Sequence, residues 1–338
     1  MTVRYARWDG PGVPFALVEA DGPADLADGE LLVEIELATI CGSDLHTVAG
    51  HRPAPAPTVL GHEQVGRVVA GGPGERVVWS VAVSCGECER CARGLTQKCL
   101  RLRKFGHEPL AVGWTLSGGF ATHAVLPRGT TVVPVPEDLP AEVAAPASCA
   151  TATVAAMLDA VPPVAGRRVL ITGAGMLGVT ASAMAASAGA EVTVCDPDPA
   201  RRALATRFGA ASAVGPDELP AGVDVALELS GAARAVSGCL DALAVGGHAV
   251  LAGSVSPGPS VPLDPERLVR GLLSVTGVHN YRAEHLRRAV DFLAVAYERY
   301  PFAELVGERF GLAGLDQAFA PAASSTALRR AVVPVATR

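Results

Sequence analysis

Residues 167–178 read RRVLITGAGMLG, an apolar run that passes through three glycines into a stretch of small apolar residues. A second apolar run follows at residues 191–195 and ends at Asp196. A strand, a glycine turn, a helix and another strand form the unit that repeats in doubly wound parallel sheets. The pattern continues as strands at 223–229, 248–252 and 272–278 and helices at 232–243 and 282–298. This half of the chain is therefore predicted to be an α/β domain built on a parallel sheet.

The spacing of the three glycines predicts a loop that binds the phosphates of a dinucleotide. Gly173 permits the tight turn, Gly175 lets the backbone approach a pyrophosphate, and Gly178 lets the helix pack closely on the sheet. Met176 and Leu177 lie between them at the start of the helix, where free backbone N–H groups face the phosphates.

Asp196 is the acidic residue expected at the end of the second strand of such a unit. It lies 18 residues after Gly178, where a carboxylate hydrogen-bonds to the adenosine ribose hydroxyls. A carboxylate at this position also repels a 2′-phosphate, which favours NAD over NADP. Arg201 follows nearby and works in the opposite direction, because a guanidinium there holds the 2′-phosphate.

Four of the eight cysteines form a cluster with the spacing of a metal site. Cys85, Cys88 and Cys91 are separated by two residues each, and seven residues separate Cys91 from Cys99. Two-residue gaps direct successive thiolates to one point, and four thiolates complete a closed tetrahedral zinc shell. Iron–sulfur clusters use similar spacing, but the charged residues between these cysteines favour zinc. A closed shell leaves no position for substrate, so we predict a structural zinc.

Three further residues could form a metal site with an open position. Cys41 follows an alternating strand at 32–37, His62 comes 21 residues later, and Cys149 lies far along the chain. A Cys–His–Cys set leaves one coordination position of zinc free for catalysis. Spacing alone does not establish that these side chains meet. The two cysteines left over, Cys195 and Cys239, are interpreted as core thiols.

Composition restricts the class of protein. The 338 residues are 49% apolar and 18% charged, which is enough for two domains and excludes a disordered chain. The net charge of −6 argues against a sequence-independent nucleic-acid binder. We find no signal-peptide pattern, and the 22 uncharged residues at 169–190 are better explained by a buried strand, turn and helix than by a membrane span. We expect a soluble, cytoplasmic protein without nucleic-acid or membrane partners.

Residues 1–145 read as short strands broken by glycine and proline, which is typical of an all-β, barrel-like domain. This all-β domain precedes the α/β domain. In this order, the motifs of the chain resemble those of the zinc-dependent medium-chain dehydrogenase/reductase family, of the alcohol dehydrogenase type. The resemblance covers essentially the whole chain, with the motifs in family order. They are Cys41 with Ser43, Asp44 and His46; Gly-His-Glu at 61–63; the four-cysteine cluster; Gly-Gly-Phe-Ala at 118–121; Cys149-Ala150; and the glycine motif with Asp196.

The resemblance implies an α/β fold with a divided catalytic domain. A GroES-like, β-barrel-type catalytic domain would occupy residues 1–146, with the cysteines in a lobe at 85–99. A Rossmann domain with a doubly wound parallel sheet would occupy residues 147–276. Residues 277–338 would return to complete the catalytic domain.

The resemblance also implies the roles of the metal-site residues. Cys41, His62 and Cys149 would hold a catalytic zinc, which stabilises the alkoxide from which hydride passes to NAD. Glu63 would lie beside this zinc, either as a supporting or transient ligand or as a satisfied buried carboxylate.

Three residues near Cys41 resemble the supporting groups of the family. Ser43 and His46 would relay the substrate proton to solvent, and histidine exchanges protons near neutral pH. Asp44 would accept the ring N–H of His62 and fix its tautomer. The expected enzyme is an NAD-dependent zinc alcohol dehydrogenase with two zinc ions per chain, acting on a small alcohol or carbonyl compound as a homodimer or homotetramer.

The substrate is predicted from a narrower resemblance. Residues 41–47 with 50–53, and residues 277–281, are similar to a bacterial subgroup associated with phosphonate catabolism. Arg52, or the group Arg101, Arg103 and Lys104, could hold an anionic group by charge-assisted hydrogen bonds. A hydroxyalkylphosphonate is therefore one predicted substrate, and a small polyol or secondary alcohol is the rival.

Two other functions stay open at this point. One is a zinc-binding reductase of the same fold that acts on a specialised carbonyl metabolite with NADPH. The other is a non-catalytic protein that binds zinc and nucleotide, which would tolerate loss of the ligand residues that this sequence retains.

Overall fold

A computed structural model describes residues 1–110, 114–320 and 327–334. Its strands follow the alternating and apolar runs of the sequence. They are β1 (Thr2–Trp8), β2 (Ala16–Asp21), β3 (Leu31–Thr39), β4 (Thr58–Val59), β5 (Glu63–Ala70), β6 (Arg76–Val83), β7 (Arg103–Lys104), β8 (His123–Leu126), β9 (Thr130–Pro134), β10 (Arg168–Thr172), β11 (Glu191–Cys195), β12 (Ser212–Val214), β13 (Val223–Glu228), β14 (Leu243–Leu251), β15 (Ser274–Gly277), β16 (Val306–Phe310) and β17 (Arg329–Val332).

Most helices are short, and the longest two lie where the sequence is most clearly helical. The helix α5 consists almost entirely of small or apolar residues and is nearly all buried, whereas α9 is amphipathic. The helices are α1 (Gly42–Val48), α2 (Glu89–Ala92), α3 (Ala141–Ala144), α4 (Ala150–Asp159), α5 (Met176–Ser187), α6 (Pro199–Arg207), α7 (Ala233–Ala242), α8 (Pro265–Arg270), α9 (Ala283–Ala296) and α10 (Leu315–Phe319).

The chain divides into two compact units. Unit 1 contains residues 1–149, 282–297 and 302–338, and unit 2 contains residues 150–281 and 298–301. The sequence-based boundaries, after residues 146 and 276, lie a few residues before these divisions. The polypeptide thus leaves unit 1 after residue 149 and returns to it at residue 282, with a brief second passage through unit 2 at residues 298–301.

Unit 1 is built mainly on antiparallel pairing, and only β16 and β17 pair in parallel among its described strands. Its larger sheet has the order β16-β17-β3-β5-β6-β7, with β8 paired to β3 and β9 paired to β6. A smaller sheet has the order β2-β1-β4. Large aromatic side chains are concentrated in this core, where Trp8, Trp79, Phe105 and Phe120 are almost completely buried.

Unit 2 is built on a parallel sheet with the order β12-β11-β10-β13-β14-β15. The order reverses beside β10, the first strand, which is the place where such sheets bind ligands at the carboxyl ends of the strands. Buried aliphatic residues such as Leu170, Val225 and Leu227 form the core. The three sheets confirm the predicted fold class, in which a mainly antiparallel, barrel-type domain accompanies a doubly wound α/β domain.

No single helix among the described residues is long and apolar enough to cross a membrane. One bent pair of adjacent helical stretches reaches that length and composition when both are counted together, Ala141–Ser148 with Ala150–Asp159. The uncharged stretch at 169–190 consists of β10, the glycine turn and α5.

Candidate metal centres and nucleotide site

The start of α1 positions the first group of predicted site residues. Cys41 is the residue before the helix, in an extended conformation, and its backbone N–H donates to Asp44 Oδ2 at 3.0 Å. The other oxygen, Asp44 Oδ1, faces Nδ1 of His62 at 3.3 Å. Both side chains are buried. A carboxylate at Nδ1 favours the tautomer in which Nε2 carries the free lone pair, which is the form that binds a metal.

The structure brings Cys41, His62 and Cys149 together in unit 1. Their ligand atoms all lie within 4.8 Å of one another. Ser148 Oγ donates to the backbone oxygen of His62 at 3.2 Å, which ties the turn before Cys149 to the same place. Two sulfurs and one imidazole nitrogen in a tight, buried group are the donor set of a zinc site with an open position. We call this group the catalytic metal centre.

The two thiols of this centre have pKa values shifted in opposite directions. Contact with the Cys149 thiol and the positive charge of Arg329 lower the pKa of Cys41 well below its usual value, although burial opposes the shift. The same contact and burial raise the pKa of Cys149 well above its usual value. Zinc binds cysteine as the thiolate, so the lowered pKa of Cys41 suits a metal ligand.

Glu63 lies next to the centre but outside its ligand group. Its carboxylate forms a bidentate pair with Arg329, with Oε2 at 2.7 Å from Nε and Oε1 at 2.9 Å from Nη2. Thr39 Oγ1 also donates to Oε2 at 2.7 Å. Of the two roles expected for Glu63, this arrangement is that of a satisfied buried carboxylate.

Ser43 and His46 lie on one face of α1, three residues apart. Ser43 Oγ is 3.3 Å from Nε2 of His62, so the hydroxyl points at the catalytic metal centre. His46 is exposed, and its ring centroid is 6.0 Å from that of His51. The helix thus presents one hydroxyl to the centre and one imidazole to solvent.

The four clustered cysteines form a second group. Cys85, Cys88, Cys91 and Cys99 have ligand atoms within 4.8 Å of one another, and the neighbouring sulfurs are 3.3 to 4.0 Å apart. A tetrahedron with Zn–S bonds of about 2.3 Å has edges of about 3.8 Å, so these separations fit zinc. The backbone N–H of Glu87, with other donors, lowers the pKa of Cys85 to about 6, which favours the thiolate.

The nucleotide site lies in unit 2, in a cavity of about 560 Å³ at the carboxyl ends of the strands. Gly173, Gly175, Asp196 and Arg201 are among its lining residues. Gly173 has a φ of +93°, which suits glycine. A Cβ at Gly178 would overlap the carbonyl oxygen of Gly173.

Met176 and Leu177 form the first turn of α5, directly after Gly175, which precedes the helix in an extended conformation. These residues present the N-terminal end of the helix beside the glycine turn, where a phosphate is expected.

Asp196 holds the end of β11 against the glycine turn. It is only 4% exposed, and its Oδ2 accepts from the Ala174 N–H at 2.7 Å while Oδ1 accepts from the Asp198 N–H at 2.9 Å. Arg201 is exposed and lies 3.9 Å from the Asp198 carboxylate. The neighbouring Arg202 donates to the backbone oxygens of Asp196 and Pro197 instead.

Sequence reasoning missed three residues at these sites. Arg329 lies 288 positions from Cys41, whose sulfur is 3.6 Å from Nη2; its signal is a pair of arginines directly before an apolar run. The His107 ring centroid lies 5.0 Å from that of His62, with the two rings tilted, and His107 belongs to no motif. Glu228 is fully buried at the end of β13 and accepts from the N–H groups of Ser230 and Gly231; an acidic residue at the end of an apolar strand is its signal.

Two family profiles match most of the two halves of the chain. The family described as alcohol dehydrogenase GroES-like domain matches residues 27–137, and the family described as zinc-binding dehydrogenase matches residues 177–295. Among curated relatives, L-threonine 3-dehydrogenase of Anaeromyxobacter dehalogenans (strain 2CP-C) is 34% identical over 316 residues, which cover 86% of this chain and 87% of that protein.

Solved structures share the same fold over nearly the whole chain. An alcohol dehydrogenase from Thermotoga maritima has a TM-score of 0.91 and 29% identity, covering 99% of this chain and 100% of that one. A zinc-binding dehydrogenase from Sinorhizobium meliloti 1021, bound to NADP, has a TM-score of 0.87 and 27% identity with the same coverage.

Proposed function

This chain belongs to the zinc-dependent medium-chain dehydrogenase/reductase family, of the alcohol dehydrogenase type, and on that premise we propose that it interconverts an alcohol and its carbonyl compound with NAD. The observation that carries the proposal is the convergence of Cys41, His62 and Cys149 on one buried point. Zinc held there would supply Lewis acidity, which lowers the pKa of an oxygen acid at the open position.

The residues of the chain supply proton transfer and positioning. The Ser43 hydroxyl, which faces the centre, accepts the hydroxyl proton of the alcohol, and the exposed His46 exchanges the proton with solvent. Asp44 fixes the His62 tautomer. Arg329 balances the negative charge of Glu63 and Cys41. NAD, when bound, would accept the hydride from the alcohol carbon.

We assign NAD as the cofactor, and Asp196 is the support for that choice. Its carboxylate lies in the cavity beside the glycine turn, where negative charge repels a 2′-phosphate and lone pairs accept ribose hydroxyls. The NADP bound by the Sinorhizobium relative makes the opposite preference the competing possibility, with Arg201 as the residue that would hold the phosphate.

Two zinc ions per chain are proposed, one for each cysteine-containing group. The four-cysteine lobe has no free position in its tetrahedron, so its zinc would be structural. A hydroxyalkylphosphonate is the proposed substrate, and a small polyol or secondary alcohol is the competing one.

We also propose a homodimer or a dimer of dimers. The support is the edge strand β15, which pairs with β14 on one side only among the described strands. Val269 and Leu272 beside it are 71% and 72% exposed. A second copy of the same edge could pair with β15 and cover these side chains. Cytoplasmic localisation stays a prediction.

A substrate panel tests the proposed function. Zinc-loaded protein is mixed with NAD or NADP and with primary alcohols, secondary alcohols, polyols and hydroxyalkylphosphonates, and absorbance at about 340 nm reports the reduced cofactor. We expect turnover with NAD for one group. Failure with every alcohol, and with every matching carbonyl compound and NADH, would contradict the proposal.

A further inference from the structure

Three basic side chains of unit 1 lie near one another beside the catalytic metal centre: His107 contacts the ring of the ligand His62, and the charges of Arg52 and Lys104 both act on His107. The first, His107, places its ring centroid 5.0 Å from that of the ligand His62. This placement follows from the backbone, because Gly106 adopts a φ of +73° and packs directly against Gly61. A Cβ at Gly106 would overlap the carbonyl oxygen of Gly61, so the residues that follow these two glycines are held side by side.

Arg52 is held close to the same segment by backbone contacts. Its N–H donates to the carbonyl oxygen of His46 at 3.2 Å, which fixes Arg52 at the end of α1. The loop that follows is joined to residues 108–110 by two hydrogen bonds. The Leu110 N–H donates to the backbone oxygen of Pro57 at 2.7 Å, and the Thr58 hydroxyl donates to the backbone oxygen of Glu108.

Lys104 is the third of these basic side chains, and the positive charges of Lys98 and Arg52 act on it. It is half-buried. Burial lowers the pKa of Lys104, and the positive charges of Lys98 and Arg52 lower it further, while Glu108 acts in the opposite direction. Glu108 directs its Oε1 to the backbone N–H of Lys104, not to the ammonium group.

Arg52 and Lys104 lack partners that other basic side chains nearby possess. Arg101 pairs with Glu87, and Arg103 lies over the ring of Trp114, 3.9 Å from its centroid. Within residues 1–110, 114–320 and 327–334, neither the Arg52 guanidinium nor the Lys104 ammonium has a hydrogen bond or ion pair. The donors of both half-buried cations are thus free of protein partners among these residues, and an oxyanion there would accept charge-assisted hydrogen bonds from them.

We infer that Arg52 and Lys104, with the ring of His107, form an anion subsite beside the catalytic metal centre that binds an oxyanion group of the alcohol substrate. The inference rests on the proposed function, because the hydroxyl of the same molecule would lie at that centre. Phosphonate, phosphate, sulfonate and carboxylate groups share the required chemistry, since guanidinium and ammonium donors bind their oxygens by charge-assisted hydrogen bonds.

Binding of methylphosphonate to the zinc-loaded protein tests the subsite without turnover. Calorimetry compares the wild type with Arg52→Gln and Lys104→Met, and with Arg103→Gln as a control that removes the same charge elsewhere. We expect each subsite variant to raise the Kd for methylphosphonate about tenfold or more. The Kd of Arg103→Gln should stay within about twofold of the wild-type value. Absence of binding to the wild type, or equal weakening by Arg103→Gln, overturns the inference.

Kinetic measurements distinguish the possible anions, and they also separate the anion subsite from the proposed dehydrogenase function. The ratio of kcat/KM for a charged alcohol to that for a neutral alcohol of equal length is measured with phosphonate, phosphate, sulfonate and carboxylate groups. We expect the ratio to exceed one for at least one anion and to fall about tenfold in Arg52→Gln. A neutral preference in the wild type overturns the subsite while leaving the dehydrogenase intact. If neither type of alcohol is oxidised, the proposed function fails and methylphosphonate binding alone decides the subsite.

Discussion

The carboxylate of Asp44 connects two residues of the catalytic metal centre. One oxygen accepts from the Cys41 N–H at 3.0 Å, and the other faces His62 Nδ1 at 3.3 Å. A single buried side chain thus sets both the start of α1 and the orientation of the imidazole. The consequence is that metal affinity depends on a residue that does not touch the metal.

We predict that Asp44→Asn weakens zinc binding at this centre about 10- to 100-fold. An amide N–H₂ group at His62 Nδ1 favours the tautomer with a proton on Nε2, which removes the lone pair needed by the metal. Competition with a chelator measures the affinity, and Asp9→Asn, at a pair partly exposed to solvent, is the matched control. Equal zinc affinity in Asp44→Asn and the wild type would contradict the role of Asp44.

Asp196 is the residue that we propose to decide between the two nicotinamide cofactors. We predict that Asp196→Gly raises the ratio of kcat/KM for NADP to that for NAD about 10- to 100-fold, because repulsion is removed and hydrogen bonds to the ribose are lost. The variant also loses the acceptors of the Ala174 and Asp198 N–H groups. Asp196→Asn is therefore the control, since it removes the charge and retains an acceptor. An unchanged ratio in both variants would show that Asp196 does not contact the ribose.

At the scale of elements, a buried ion pair joins the last strand to the core of unit 1. Arg329 on β17 pairs with Glu63 on β5, and the two side chains are 7% and 0% exposed. Strand β3 lies between β17 and β5 in the sheet. Removing one partner leaves a buried charge uncompensated, which is more costly than replacing both.

We predict that Arg329→Met lowers the free energy of unfolding by about 3–5 kcal/mol, as measured by urea titration. The double variant with Glu63→Gln should recover part of the loss. The exposed pair Arg67–Glu137 provides the comparison, because Arg67→Met should cost about 1 kcal/mol or less. Similar costs for Arg329→Met and Arg67→Met would contradict this account of the buried pair.

Elements with strong local signals were predicted well from the sequence. The run before the glycine turn became β10 and the small-residue stretch became α5. The strand predicted at 248–252 is longer, because β14 begins at Leu243 and passes Gly246 and Gly247 with a register shift against β13. Two adjacent glycines indicate a turn locally, and only the neighbouring strand turns them into a bulge.

Long-range contacts account for what the sequence did not predict. Cys41 and Cys149 lie in local sequence motifs, but the approach of their two sulfurs depends on the path of the chain through the whole of unit 1. Arg329 approaches Cys41 from 288 positions away, and Arg52 and Lys104 come together through loop contacts. No periodicity or short motif encodes such approaches. The sequence predicted Cys41, Cys149, Arg52 and Lys104 as candidate site residues without showing which of them meet, and Arg329 emerged only from the structure.

At the scale of the whole molecule, the edge of the parallel sheet sets the expected assembly. Leu272 has a φ of +51° and is 72% exposed, although asparagine suits that conformation better than leucine. We predict that Leu272→Asn folds normally but shifts the oligomer measured by light scattering towards the 34.4 kDa monomer. The control Val295→Asn, at an exposed apolar residue elsewhere in the chain, should not change the mass. A monomeric wild type would contradict the proposed assembly.

The central claim is that the Cys41–His62–Cys149 group holds the zinc on which turnover depends. Its most direct test is to measure zinc per chain and the rate of NADH formation on the same samples of wild type, Cys41→Ala and the core control Cys239→Ala. The account predicts two zinc ions and turnover in the wild type and the control, and about one zinc ion, with turnover lost, in Cys41→Ala. Turnover by Cys41→Ala at the wild-type rate, or an active wild type without zinc at this group, would contradict it.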